Sequence, residues 1–465
     1  MRTFRPHFLL KMCFPWLVVF FGLISPIFGK VYEGAPTNYQ QFLPFLEPGD
    51  TLLLQPGLYD DPRHSPGLAL FDLHGTASAP IVITGPEEGP PAIFVGQSTH
   101  NTIRFNRSSY LIVRNLEVDG RDRGGDGVKA QGLAHHITLE HLFIHGVGKD
   151  QSVVGISTNG GTTWNWIIRG CVIQGAGTGM YLGDSDGTMP FIGGLIEYNV
   201  FQDSIGYNVQ IKHQIKQPVF PELSSGPHAS IIRHNVFTKS DNSSKGSMSR
   251  PNLLVGHFPI TGSGHADHYQ IYGNVFYQNP SGESLLQAEG NVSVYHNLFF
   301  NSYGSGIWII PHNHRPRKVF VFQNTVVARD RGILVRGVEQ GFPQVVAANA
   351  VFAGSGIRAE KAIGNFTAGF LAASNFLAHP FDELDKWDLF PKEPLVPQDE
   401  FFEPQWPKDL SDVNLDFNGI PITANVVGAY HGSGNNPGWI PQLDQKPLMF
   451  SDVLSPAAPS RLRLE

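Results

Sequence analysis

The chain has 465 residues, of which 41% are hydrophobic and only 16% charged, with a formal net charge of −7. That hydrophobic fraction is enough for a core and excludes global disorder. The scarcity of charge excludes a coiled coil, the lack of a Gly-X-Y period excludes collagen, and the acidic balance argues against a general nucleic-acid binder.

In chain order, the first element is a leader. Arg2, Arg5 and Lys11 precede an apolar stretch, Met12 to Phe28, and Gly29 is the small residue after it. This predicts a cleaved secretory signal over residues 1–29, hence a secreted or periplasmic protein with no stable membrane association after cleavage. The stretch is short for a bilayer helix and Pro15 and Pro26 interrupt it. Cys13 would leave with the leader. Cys171 then stands alone, which excludes an internal disulfide, and it reads as a small buried hydrophobe.

From about residue 115 a short phrase recurs: Asn115-Leu116, His141-Leu142, Gly170-Cys171, Asn199-Val200, Asn235-Val236, Asn274-Val275, Asn297-Leu298, Asn324-Thr325, Asn349-Ala350 and Asn375-Phe376. Its mean spacing of about 29 residues is that of a solenoid. Between copies lie β-branched and aromatic runs of strand length broken by Gly or Asn, and no sustained helical period. A repeat of this size built of three short strands is one coil of a parallel β-helix. The Asn column is expected to hydrogen-bond from coil to coil and to take up the left-handed turn conformation.

On these repeats the chain resembles right-handed parallel β-helix proteins of the pectin-lyase type. Glu47-Pro48-Gly49-Asp50-Thr51-Leu52-Leu53-Leu54-Gln55-Pro56-Gly57 and Ala79-Pro80-Ile81-Val82-Ile83-Thr84-Gly85 are similar to the opening of the chondroitinase B and alginate lyase family. Asp416-Phe417-Asn418-Gly419 and Val427-Gly428-Ala429-Tyr430 are similar to the closing segment of many secreted β-helix proteins. The expected fold is therefore all-β, a right-handed parallel β-helix over 30–430. Residues 380–425, rich in Pro and acidic side chains, are expected to lie along it as an irregular segment. Residues 431–465 read as a loosely held tail.

The strand after each phrase can be aligned as Met180-Tyr181-Leu182-Gly183, Val209-Gln210-Ile211-Lys212, Leu254-Val255-Gly256-His257, Leu286-Gln287-Ala288-Glu289, Ile307-Trp308-Ile309-Ile310 and Ile333-Leu334-Val335-Arg336. Period-2 alternation turns the second and fourth positions outward. That places Lys212, His257 and Glu289 in one outward column, with Gln210, Gln287 and Trp308 beside it. His312 continues one strand, and Arg336 lies two coils beyond Glu289. Inserted loops at 214–227 and 239–250 are expected to wall the groove. Residues 205–270 carry six Lys/Arg against three Asp/Glu, which suits an anionic polysaccharide.

These residue types point to β-elimination on a uronate. Lys212 is the candidate base, His257 its alternative or acid partner, and Arg336, or a metal held by Glu289, the group that meets the carboxylate. The resemblance implies the same chemistry, with a Lys base and, in some members, calcium; Lys212 alone carries over by residue type and strand face. Gln210, Gln287, Glu289, His312, Trp308 and Tyr181 are the candidate substrate contacts, and Asp184 and Asp186 the candidate calcium ligands. The alternatives are a non-catalytic carbohydrate-binding or cell-surface β-helix and a glycoside hydrolase, for which no clustered carboxylates are visible. The expected partner is a polysaccharide, the expected state a monomer.

Overall fold

The computed structural model describes residues 29–60, 67–399, 406–422 and 427–448. The leader and the last part of the tail lie outside the described residues. Nearly all ordered elements are short strands, and they assemble into two large sheets of 15 and 21 strands whose pairings are parallel. Among the described residues no helix is long and apolar enough to cross a membrane.

One coil shows the construction. His268–Tyr272 pairs with Ala229–Arg233 before it and Val292–Tyr295 after it. Val275–Tyr277 lies between Val236–Thr238 and Leu298–Asn301. Leu286–Ala288 lies between Leu253–Val255 and Ile307–Ile309. Repeated along the chain, these strands form a first, second and third column, the three walls of a parallel β-helix. Neighbouring coils are about 4.8 Å apart, the spacing that strand hydrogen bonding imposes.

Alternation fills the inside. Ile232, Ile271, Val294 and Val321 of the first column are fully buried, as are Leu253, Val255, Leu286 and Ala288 of the third. Inward from the second column, Phe201, Phe237, Phe276 and Phe299 stack ring on ring at 5.0, 4.6 and 4.6 Å. Cys171 belongs to this interior, and burial pushes its thiol up to about 12.

The asparagine column is continuous. Asn199, Asn235, Asn274, Asn297, Asn324 and Asn349 each donate a backbone N–H and an Nδ2 hydrogen to the Oδ1 of the next rung, at 2.9–3.1 Å. Nδ2 also reaches a carbonyl of the preceding coil, as Asn274 does at Ile232 O. Two expectations need correction. The final rung is Asn365, only 16 residues after Asn349, whereas Asn375 lies in a helical turn, Ala373–Phe376. And the left-handed residue is the one before each rung: Tyr198, His234, His296, Gln323 and Ala348 have φ of 50–56°. The rung asparagine instead feeds the backbone that this kink leaves unpaired.

The described residues after 370 wrap the outside of the coils: Trp406, Leu410 and Val413 lie on the first column, against Tyr272, Tyr295 and Phe322, and others cover the second. Val200, Val236, Val275 and Leu298 are covered there by Trp387, Leu389, Phe390, Phe417 and Tyr430. The part of the tail that is described is held firmly, against expectation. Lys446 is only 5% exposed; its Nζ donates to Phe417 O at 2.7 Å and sits 3.6 Å from the centre of the Phe417 ring.

Candidate functional site

The third column sets the register of the site. Met180, Val209, Leu253, Leu286, Ile307 and Ile333 stack in line, and beside them Tyr181, Gln210, Leu254, Gln287, Trp308 and Leu334. The sequence alignment holds in every one of these coils except that of Leu253, where it slips by one residue. Leu253-Leu254-Val255 is an unbroken apolar run, so alternation cannot choose a phase. In the fold Leu253 and Val255 point inward, and Leu254, 8% exposed, faces out.

The slip has a chemical consequence. The column through Lys212 continues through Gly256 and Glu289, not through His257. His257 is 2% exposed, its ring centre 4.9 Å from that of His314. Burial, then Arg317 and His314, hold its imidazole down at about 4. It does not reach the groove as an acid–base group. Gly256 has no room for a side chain: a Cβ there would sit 2.3 Å from the His213 backbone nitrogen.

Outside this column lies a cleft with an open volume of about 360 Å³. Gln210, Leu254 and Gln287 form its floor. Lys212, His213, Glu289, His312 and Asn313 line one rim, and Tyr207, Arg250 and Glu283 the other. The structure therefore gathers Lys212, Gln210, Gln287, Glu289 and His312, as the sequence pattern predicts. Tyr181 also belongs here, its ring 5.7 Å from Lys212 Nζ.

Lys212 is half-buried, and among the described residues its Nζ has no hydrogen-bond or ion-pair partner. Burial lowers its pKa, opposed by the negative charges of Glu289 and Asp184. Glu289 is 3% exposed and moves the other way, its pKa raised by burial although backbone N–H groups hold the ionised form. Its Oε2 accepts from the N–H of Asn313 at 2.6 Å and of His314 at 3.3 Å. Glu289 thus fastens the 310–317 loop over the cleft and is not ion-paired to Lys212.

Arg336, the expected carboxylate partner, does not line this cleft; it is exposed two coils further on. The cation opposite Lys212 is Arg250. Its guanidinium lies 5.8 Å over the Tyr207 ring, and Nη1 is held by Ser247 O and Ser249 O at 3.0 and 2.7 Å. Arg250 sits at the end of an irregular insertion, where no strand period marks its orientation. Lys239 stabilises this turn from below, donating to Arg250 O at 2.8 Å. Burial lowers the Lys239 amine to about 7.

Only one insertion walls the cleft. Loop 239–250 supplies Ser249 and Arg250. Loop 214–227 turns away, laying Phe220 and Leu223 over Trp164 and Ile192, with Gln217 donating to Asp267. Nor does the local excess of cations collect in the cleft. Arg233 is spent on Glu197 and Lys239 on a carbonyl, so Lys212 and Arg250 face Glu283 and Glu289 in equal number. Trp308 lines a neighbouring hollow.

Asp184 and Asp186 close a turn. Asp184 accepts from Met189 N and Thr188 Oγ1 at 2.9 Å, and Asp186 accepts from Thr188 N and Oγ1 at 3.0 and 2.7 Å. Among the described residues no group of three His, Cys, Asp or Glu is placed to hold a metal ion. The pair does not fit a calcium site, which takes six to eight oxygens.

Solved structures similar to the chain include the following polysaccharide lyases. Pectate lyase Pel9A has 14% identity and a TM-score of 0.42, covering 87% of this chain and 96% of its own. The PL6 family polysaccharide lyase Pedsa3628 from Pseudopedobacter saltans has 14% identity and a TM-score of 0.42, covering 75% and 89%. An alginate lyase from Paenibacillus sp. str. FPU-7 has 16% identity and a TM-score of 0.37, covering 73% and 98%. The likeness is one of architecture, which the strand pairing above defines independently. No protein-family model matches the chain, and no curated protein matches it.

Proposed function

We propose that the protein is an exported polysaccharide lyase that cleaves an acidic, uronate-containing glycan by β-elimination, with Lys212 as the base. The observation that carries this reading is the state of Lys212: an amine without a polar partner among the described residues, half-buried on the rim of a polar cleft, its pKa lowered. A lysine base must lose its proton near neutral pH, and desolvation is the means by which proteins achieve this.

In the proposed reaction Arg250 neutralises the uronate carboxylate, which acidifies the adjacent C5–H. Neutral Lys212 takes that proton. The C5 electron pair forms the C4–C5 double bond as the C4–O bond breaks, and the proton held by Lys212 is available to the departing oxygen. The floor on which the sugar would lie is Gln210, Leu254 and Gln287. A glycoside hydrolase is the weaker reading. Such an enzyme works with a pair of carboxyl groups, and of the two that line this cleft Glu289 is buried and committed to the N–H groups of Asn313 and His314.

The test is ultraviolet detection of unsaturated uronate products from alginate, pectate and chondroitin chains. The wild type is expected to release them from at least one chain, and Lys212→Ala to lose about 10²–10⁴-fold in rate. Release of reducing ends without the ultraviolet signal would point to a hydrolase. Binding without any cleavage would point to a carbohydrate-binding protein.

A further inference from the structure

The cleft does not end at Gln287. Trp308 is the next residue in register along the same outward row, about 4.8 Å further on. It lines a separate hollow of about 410 Å³ with Ser305, Arg329, Asp330 and Arg331. The hollow has an identifiable origin. Thr325–Val335 runs as one 11-residue strand from the second column into the third, where the preceding coil breaks between Leu298–Asn301 and Ile307–Ile309. Its pairing with Ala350–Arg358 shifts between Ala328 and Arg331, and such an irregularity re-aims side chains at a sheet corner. Around it the lining is small: Ser305, Gly354 and Ser355. A Cβ on Gly354 would meet Arg329 O at 2.4 Å, so no side chain can stand there.

The charges complete the picture. Arg114, Arg169 and Arg233, on the first column, are matched by Glu87, Glu140, Glu197 and Asp412. Arg329 and Arg331 are not: among the described residues neither side chain has a hydrogen-bond or ion-pair partner, and Asp330 between them leaves a net single positive charge. Two forked cations beside a half-buried indole face form a site for a ring that carries an anion.

We propose that the Trp308 hollow is an accessory subsite that takes an anionic sugar, stacking its ring on Trp308 and pairing its carboxylate or sulfate ester with Arg329 and Arg331. It extends the binding surface along the helix axis away from Lys212, so the protein holds an acidic chain over several sugars and not at the reacting bond alone. The proposal rests on the reading of the Lys212 cleft as a glycan site but not on the chemistry performed there.

Calorimetric binding tests it on the full chain carrying Lys212→Ala, which keeps substrate intact. The probes are oligouronates and sulfated chondroitin oligosaccharides of increasing length, with neutral dextrins as control. Arg329→Ala with Arg331→Ala is expected to weaken long acidic chains about tenfold, to leave disaccharides unchanged and to flatten the salt dependence. Trp308→Phe is expected to retain binding that Trp308→Ala loses. Loss confined to sulfated or to carboxylated chains identifies the anion. Equal affinity of the double variant for long acidic chains, or equal binding of neutral dextrins by the parent, overturns the subsite. Turnover measured in the Lys212-intact double variant reports on the lyase reading separately: unsaturated products from short substrates at the normal rate leave that reading standing whether or not the subsite survives.

Discussion

Lys212 and Glu289 stand on one column with only Gly256 between them, and burial shifts their proton equilibria in opposite directions. For Lys212, the active form is the neutral one, so rate is expected to rise with pH until the lowered amine pKa is passed, and to level there. For Glu289, the folded chain binds the proton more tightly than the unfolded chain. Its contribution to stability is therefore full below its ordinary value of 4.5 and is lost as pH rises through the raised one. Gln can accept the same two N–H bonds without a buried charge. Glu289→Gln is expected to raise Tm at pH 8 and to be neutral near pH 4, as differential scanning calorimetry at the two values would show. A lower Tm at pH 8 would mean that the ionised carboxylate is what the 310–317 loop requires.

At the scale of the element, the asparagine ladder repairs a defect that the coil geometry makes. Each corner residue such as His234 or His296 bends the backbone into the left-handed region, and the next residue supplies the missing bonds. Asn274, wholly buried, accepts from Asn235 N and Nδ2 and donates to Ile232 O, Tyr272 O and Asn297 Oδ1. Asn274→Ala strands several of these groups and is expected to cost about 3 kcal/mol or more, read from a urea midpoint. Asn365→Ala, at the last rung, should cost less. The ladder is legible in the sequence because it needs one residue type at one place in every coil. Its end is not: the step to Asn365 is short because that coil lacks a corner excursion, so Gly364-Asn365-Phe366 falls outside the period. The groove is legible wherever apolar and polar residues alternate, as in Val209-Gln210-Ile211-Lys212. It becomes illegible at Leu253-Leu254-Val255, and that single slip is what separates His257 from the groove. The 239–250 loop is legible as a wall of the groove, but the inward aim of Arg250 is not, because a loop held by carbonyl contacts and by Lys239 leaves no periodic trace.

Over the whole molecule the stacked coils bury histidines along with the hydrocarbon. Burial holds His257 and His296 neutral, each down at about 4 against an ordinary 6.5. The unfolded chain takes up these protons between pH 6.5 and 4 and the folded one does not, so stability is present above 6.5 and falls as pH drops toward 4. His296 alone, fully enclosed, accounts for a loss on the order of 3 kcal/mol. Buried carboxyls such as Glu289 act the other way, so the comparison is with a variant: urea midpoints should fall more steeply from pH 7 to pH 4.5 in the wild type than in His296→Gln, and parallel profiles would contradict the burial of this ring.

Lys446 reaches a pocket against Phe417 and His234, which ties one of the last described residues to a corner formed some two hundred positions earlier. The solenoid can wind as it is synthesised, each turn using its predecessor as template. Its flank of Val200, Val236, Val275 and Leu298, however, stays wet and sticky until Trp387, Leu389, Phe390, Phe417 and Tyr430 arrive to cover it. Chains cut short before that point would finish their winding and still be insoluble, precipitating through a stripe of valine and leucine that the intact protein never shows.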